Sequence, residues 1–277
     1  MRLRISVLVT IGFGGLVFLA CTQPGAVEQP VATSAAVPPS RPAAPEKPAF
    51  CPATGAGALQ DIGDTPASPY FVHHPTSGLG DVPTVIFIPG GAGLQRNARR
   101  AWENYLADGQ GIEPLRIIIP YSVGFEYLEE FPRTFAILDE VLACYGGDPG
   151  KVHVAGVSNG GLAAFALMLQ QPERFATLLG APGEFPDMDP AAWSKALAGK
   201  AVFNGVGEHD TDWKPEVKET HAALVGVGID SVYVEFPGQG HTVRAGFDQR
   251  VLFDFWLKHS ALQPTSAPDT SNDMDCR

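Results

Sequence analysis

The sequence predicts an α/β fold, with a mostly parallel central sheet and helices packed on both of its faces. Two observations lead to this prediction. Short runs rich in β-branched and aromatic residues alternate with segments whose apolar residues recur at helical spacing. Several of the short runs are apolar throughout, which is typical of strands that are covered on both faces. A repeated order of strand, helix and strand places successive strands parallel to one another in one sheet.

The predicted elements follow one another within a single domain over residues 50–262. The strands are PYFVHHP (69–75), TVIFIPG (84–90), RIIIPYS (116–122), KVHVAGVS (151–158), ATLLGAPG (176–183), KAVFNGVGE (200–208) and DSVYVEFPG (230–238). The helices, which have one apolar face, are the segments 129–146, 160–175, 191–199, 215–228 and 247–262.

The first twenty residues have the pattern of an export signal. MRLR is a positively charged start, residues 5–20 are uncharged and mostly apolar, and a small residue precedes Cys21. The apolar run is shorter than the ~20 residues that a membrane span needs, which favours a cleaved signal over an uncleaved anchor. The end of the segment resembles a bacterial lipoprotein signal. That resemblance implies that Cys21 is lipidated and becomes the mature N-terminus.

Both ends of the chain are predicted to lie outside the folded domain. Residues 21–49 are rich in Pro, Ala, Ser and Thr and contain little that could pack, which is typical of a tether. Residues 263–277 have the composition of a disordered tail. With the signal at residues 1–20, these assignments predict an exported protein, anchored to a membrane by lipid in the periplasm or at the cell surface, or otherwise secreted.

Export also bears on the remaining cysteines, Cys51, Cys144 and Cys276. In an oxidising compartment two of them can form a disulfide and leave the third free. The sequence does not select the pair. The positions favour Cys51 with Cys144, and the alternative is that Cys144 is a buried thiol. None of the cysteines has the CxxC spacing of a zinc or thioredoxin-type site.

The charge of the chain argues against nucleic acid as a partner. The formal net charge is −11, and no run of lysines or arginines occurs. An electrostatic contact with phosphate backbones needs clustered basic residues. The only membrane contact that we predict is therefore the N-terminal lipid.

VHVAGVSNGG, residues 152–161, leads an apolar strand directly into a serine between glycines. In a parallel sheet the chain leaves each strand at its carboxyl end, and a sharp turn into a helix there exposes one side chain, here Ser158. Gly156 and Gly160 lack the Cβ atoms that would collide where strand and helix cross so tightly. The helix that starts near Asn159 directs unpaired N–H groups and its positive dipole end towards the serine.

With G-x-S-x-G in this context, the chain resembles the α/β-hydrolase superfamily over roughly residues 66–260. The resemblance implies a nucleophilic serine, Ser158, followed along the chain by an acid and a histidine at the ends of later strands. His241, in FPGQGHTV after the last predicted strand, is the implied base. It is the histidine in the expected place, and packing or exposure accounts for the others.

The implied acid is Asp210, because GEHD resembles the G-x-x-D turn with which many members of the superfamily present this aspartate. Asp212, two residues further, remains an alternative. Glu184 and Asp187, after the preceding strand, are weaker ones.

Glu208, His209 and Asp210 are types of residue that can bind metal. Three consecutive residues seldom converge on one ion, however. We therefore predict no metal site and no cofactor.

The resemblance also implies two backbone N–H donors for an oxyanion. Asn159, the residue after the nucleophile, supplies the first. The loop IPGGAG (88–93) follows an early strand, and its glycines let backbone amides approach a substrate, so Gly91 or Ala92 is the candidate for the second. The alternative is an ordinary glycine loop.

The implied function is hydrolysis of carboxylic esters through an acyl-enzyme intermediate. Fewer than twenty residues separate LLGAPG from KAVFNG, too few for the lid domain of many lipases, so we expect an open pocket. This plan resembles secreted feruloyl esterases and polyhydroxybutyrate depolymerases, which implies a small-molecule or polymeric ester as substrate. The alternatives are a peptidase or amidase on the same fold and a non-catalytic surface lipoprotein that serves as a binding module.

Overall fold

The computed structural model describes residues 46–260 except 79, 81, 108–113, 123–130, 186–188 and 245. The strands are β1 (Leu59–Ile62), β2 (Tyr70–His73), β3 (Thr84–Ile88), β4 (Arg116–Pro120), β5 (Val152–Gly156), β6 (Thr177–Gly180), β7 (Ala201–Gly207) and β8 (Asp230–Phe236). The helices are α1 (Gln95–Ala101), α2 (Phe131–Tyr145), α3 (Asn159–Gln170), α4 (Pro190–Ala196), α5 (Lys214–Gly226) and α6 (Arg250–Ser260). The predictions for the signal, Cys21, most of the tether, Asp187, Cys276 and the tail lie outside the described residues.

The described strands form one sheet in the order β1-β2-β4-β3-β5-β6-β7-β8. From β4 to β8 every neighbouring pair is parallel, whereas β1 pairs with β2, and β2 with β4, in the antiparallel direction. The predicted α/β class is therefore confirmed. The sequence did not predict β1 or α1.

Helices cover both faces of the sheet, which explains why the central strands are mostly apolar. On one face, side chains such as Ile86 and Val154 pack against α2, α3, α4 and α5. Their neighbours along the same strands, such as Phe87 and Ala155, point to the other face and pack with α1 and α6. Alternate side chains of a strand point to opposite faces, so each central strand contributes to two cores.

Three further features bear on the sequence-based predictions. Cys51 and Cys144 form a disulfide, which confirms the favoured pairing. Between β6 and β7, where a lid domain would be inserted, the described residues contain only the short helix α4. Among the described helices, none has the length and apolar character needed to cross a bilayer.

His153 in β5 is a fully buried histidine that connects the sheet to α6. Its Nδ1 lies 2.8 Å from Thr177 Oγ1 and its Nε2 lies 2.8 Å from Ser260 Oγ. Ser260 Oγ donates its own hydrogen to Trp256 O, so it accepts from Nε2 and the ring is the neutral Nε2–H form. Burial, together with the nearby charge of His259, lowers the pKa of His153 from 6.5 to about 3.

Because the imidazole of His153 is buried in its neutral form, we predict that the free energy of unfolding falls in weak acid. The unfolded chain protonates the ring near pH 6.5, whereas the folded protein does so only near pH 3. The stabilising contribution is therefore present above pH 6.5 and declines as pH falls towards 3, by about 1.4 kcal/mol per pH unit. His153→Gln keeps a donor and an acceptor but does not titrate.

We expect the free energy of unfolding, measured with urea, to fall about 2 kcal/mol more between pH 7 and pH 5 in the wild type than in His153→Gln. Two further buried histidines, His73 and His74, are the same in both proteins. His74 has a pKa lowered to about 4 by burial, Arg116 and His73, and it titrates in both. The comparison therefore isolates His153. An equal pH dependence in the two proteins would contradict the assignment.

Candidate active site

Ser158 occupies a sharp turn between the carboxyl end of β5 and the start of α3. Its backbone has φ 56° and ψ −125°, and it is the only non-glycine with positive φ among the described residues. Such a conformation strains a residue that has a Cβ, and it persists only where the surroundings hold it. Here Val157 N donates to Ile88 O, and Ser158 N donates to Pro182 O at 2.8 Å.

Close backbone contacts on both sides of Ser158 account for the glycines of the motif. A Cβ on Gly156 would lie 2.1 Å from Gly160 O, and a Cβ on Gly160 would lie 2.2 Å from Ile88 O. Both distances are far below contact, and the atoms concerned belong to the backbone and cannot move aside. The motif therefore lets α3 cross directly over the end of β5 with Ser158 between them.

The loops after β7 and β8 are tied to each other by hydrogen bonds. Glu208 N donates to Phe236 O, and His209 N donates to Gln239 O at 2.8 Å. The Glu208 carboxylate in turn accepts from Gly238 N at 2.7 Å. Parallel strands end at the same edge of the sheet, so these bonds hold the loop of Asp210 against the loop of His241 and leave both beside Ser158.

The structure brings Ser158, His241 and Asp210 into one chain of hydrogen bonds. His241 Nε2 lies 2.9 Å from Ser158 Oγ, and His241 Nδ1 lies 2.8 Å from Asp210 Oδ2. A carboxylate only accepts, so Nδ1 carries the hydrogen and Nε2 is free to accept the hydrogen of the serine hydroxyl. Asp210 is 4% exposed whereas the His241 side chain is 42% exposed, so the acid is shielded and the base is open to solvent.

The alternative acids do not occupy this position. Asp212 is exposed, and His241 Nδ1 is directed at Asp210 instead. Glu184 is half-buried near the end of β6 and makes contacts of its own. Asp210 is held in place from two sides, because its backbone N donates to Gly207 O and its Oδ1 accepts from Trp213 N at 3.3 Å.

The loop after β3 lies beside the turn that carries Ser158. Asn159 Nδ2 donates to Gly91 O at 2.9 Å, so the side chain of the residue after the serine binds the loop in which we predicted the second oxyanion donor. Gly91 has φ +64°, a conformation that glycine adopts without strain. The backbone N–H of Asn159, at the first position of α3, has no acceptor within the helix.

The fold is similar to those of solved structures of other proteins, although no family model matches the chain and no curated protein matches it in sequence. A feruloyl esterase module from Clostridium thermocellum, in complex with sinapinate, superposes with a TM-score of 0.54 at 14% identity, over 73% of this chain and 93% of that one. The S-formylglutathione hydrolase of Staphylococcus aureus gives 0.52 at 13% identity, over 73% and 98%. A fluorophosphonate-binding serine hydrolase of Staphylococcus aureus, with substrate bound, gives 0.54 at 13%, over 74% and 99%.

The fold is that of the α/β-hydrolases. At such low identities the likeness establishes the architecture alone. The function of this α/β-hydrolase fold has to be argued from its own side chains.

Two aromatic residues that the sequence did not single out as site residues support the hydrogen-bonded chain. The Trp213 ring lies beside the imidazole of His241, with 5.6 Å between the ring centroids. Tyr105, buried in the π-helical turn after α1, accepts a hydrogen bond from Val243 N in the loop that follows His241. Burial and the nearby Asp210 raise the pKa of Tyr105 to about 12, so the phenol stays neutral there.

The described residues contain no cluster of three or more His, Cys, Asp and Glu side chains that could hold a metal ion. Glu208 and Asp210, which flank His209, instead bind the neighbouring loop and His241. The side-chain groups that the structure brings together here are the hydroxyl of Ser158, the imidazole of His241 and the carboxylate of Asp210.

Proposed function

We propose that this protein is a serine hydrolase that cleaves carboxylic esters. The observation that carries the proposal is the chain from Ser158 through His241 to Asp210, with 2.9 Å and 2.8 Å between successive side chains. Its position on a strained turn at the carboxyl ends of the strands supports a functional role, because a fold retains such strain where the residue is used.

In the proposed reaction, Ser158 Oγ attacks the carbonyl carbon of the ester while His241 Nε2 takes the hydroxyl proton. The tetrahedral intermediate then collapses as the imidazolium returns that proton to the leaving alcohol, which leaves an acyl group on Ser158. Water then attacks the acyl carbon while the same imidazole takes its proton. The bond to Ser158 Oγ breaks as the imidazolium returns that proton to Oγ, and the acid is released. Asp210 holds the imidazole in the required tautomer and stabilises its charged form.

The oxyanion of both intermediates needs hydrogen-bond donors beside Ser158. We assign the backbone N–H of Asn159 as one donor and the N–H of Gly91 or Ala92 as the other. The contact between Asn159 and Gly91 O supports this assignment, because it holds the two segments together at the serine. Each good donor typically contributes ~3 kcal/mol of transition-state stabilisation.

Two observations support the choice of esters as the substrate class. The names of the superposed structures include a feruloyl esterase and an S-formylglutathione hydrolase, both of which act on esters or thioesters. The short connection between β6 and β7 favours an open site that admits bulky or polymeric esters. The disulfide Cys51–Cys144 supports the further proposal that the protein is exported, since such bonds persist in oxidising compartments.

A panel of p-nitrophenyl esters with short and long acyl chains tests the proposal, together with a fluorophosphonate probe. We expect hydrolysis of at least the short esters by the full-length chain, and a single adduct that peptide mapping locates on Ser158. Hydrolysis of aminoacyl amides without hydrolysis of esters would favour the amidase alternative. A folded protein that hydrolyses neither class and is not labelled would refute the enzyme assignment in favour of a binding module.

A further inference from the structure

The side chain of Asn159 connects the two segments that would carry the oxyanion donors. Its Nδ2 donates to Gly91 O at 2.9 Å, from the first position of α3 to the loop after β3. The side chain is exposed, so neither core packing nor burial accounts for its position. Its backbone N–H is already assigned as one donor, and its side chain binds the loop that carries the other.

The rest of that loop is held at its ends and by a turn hydrogen bond from Gly93 N to Gly90 O at 3.3 Å, with the Gly91–Ala92 peptide in the middle of the turn. Such a bond does not by itself fix which way the middle peptide faces, because turn types that share it differ in that direction. Beyond Gly91, Gly93 O accepts from Ser122 N at 2.7 Å, and Leu94 N donates to Asn97 Oδ1 at 3.1 Å. Before it, Gly90 packs so closely on the serine turn that a Cβ there would lie 2.9 Å from Val157 O. Asn159 therefore binds the loop at the glycine between these two fixed ends.

The peptide between Gly91 and Ala92 is the unit that this hydrogen bond orients. A peptide is planar and trans, so its C=O and its N–H point in opposite directions. Binding the Gly91 carbonyl therefore fixes the direction of the Ala92 N–H and, through the backbone of Gly91, restricts that of the Gly91 N–H. Glycine at φ +64° allows this peptide to rotate with little steric cost when the bond is lost.

We propose that the Asn159 side chain is a positioning residue for the oxyanion site, which it completes by holding the Gly91–Ala92 peptide in register with the N–H of Asn159 itself. The inference rests on the proposed ester hydrolysis. It assigns two uses to one residue: the backbone donates to the oxyanion, and the side chain aligns the second donor.

The test compares an ester with the thionoester of the same acid and p-nitrophenol. Sulfur is a weak hydrogen-bond acceptor, so the donors contribute much less to the thionoester, and the ratio of the two rates reports the oxyanion site. In Asn159→Ala we expect kcat for the ester to fall roughly 10–100-fold with little change in KM, and kcat for the thionoester to fall at most about threefold. The rate ratio then falls at least about threefold.

Asn159→Asp is the second variant, because aspartate is isosteric, suits the first turn of a helix and cannot donate to Gly91 O. We expect the same fall in the rate ratio with an unchanged Tm. Asp210→Asn is the matched control: it impairs the base and should lower both rates by similar factors. A wild type that hydrolyses no ester would refute the proposed function. An active wild type whose Asn159 variants keep the wild-type rate ratio would refute this inference alone.

Discussion

Ser158→Ala should lower kcat for the best p-nitrophenyl ester by about 10⁶-fold and leave KM within a few-fold of the wild type. In the proposed reaction the variant removes the atom that forms the acyl bond, while the proposed backbone donors and the binding surface remain. Residual catalysis over water therefore comes only from those donors and from substrate binding. Traces of host esterases have to be removed before kcat is measured. Prior treatment with fluorophosphonate does this, because it inactivates host serine esterases but cannot modify an alanine at residue 158.

Ser231→Ala is a suitable control for this measurement. Ser231 lies near the amino end of β8, whereas Ser158 lies beyond the carboxyl end of β5, and these are opposite ends of the parallel strands. Ser231 Oγ accepts a hydrogen bond from Asn204 Nδ2 at 2.8 Å. Both replacements remove one hydroxyl, so both carry a similar chemical change. Full activity in Ser231→Ala beside an inactive Ser158→Ala assigns the loss to the nucleophile. Retention of more than about 1% of activity in Ser158→Ala would contradict the acyl-enzyme mechanism.

The parts of the fold that were predictable from sequence are those with a strong local signal. The central strands are runs such as TVIFIPG, in which every strand residue is buried and all but Thr84 are apolar. β1, in contrast, is the four-residue edge strand LQDI, partly exposed and partly polar, and α1 is QRNARRA, in which only two alanines are buried. Neither segment carries a periodic apolar pattern, and each is defined by its neighbours rather than by its own residues.

The candidate site likewise has a part that the sequence predicted and a part that only the structure shows. The glycine motif and the order of serine, acid and histidine selected three residues that the structure brings into hydrogen-bonding distance. The contact of Asn159 with Gly91 and the packing of Trp213 on His241 join residues far apart in sequence. No periodicity or motif encodes such pairs, so they are visible only in three dimensions. For Trp213 the sequence shows only that it lies close to the candidate acid, three residues after Asp210.

Asp210→Asn should lower kcat by about 10⁴-fold, and the geometry explains why an isosteric change has so large an effect. Trp213 N donates to Asp210 Oδ1, so the asparagine must keep an oxygen there and turn its NH₂ group towards His241. His241 Nδ1 then has to accept, which moves the ring hydrogen to Nε2. An imidazole in that tautomer donates towards Ser158 and cannot take the hydroxyl proton.

Asp212→Asn is the matched control, since it makes the same change on an exposed side chain two residues away. We expect its kcat/KM to stay within about twofold of the wild type, and we expect both variants to keep the wild-type Tm within a few degrees. A larger loss in Asp212→Asn than in Asp210→Asn would mean that His241 changes its partner when substrate binds. Only the residue bonded to Nδ1 can determine the tautomer of His241. Equal losses in both variants would therefore mean that the two carboxylates act through their negative charge rather than through the tautomer.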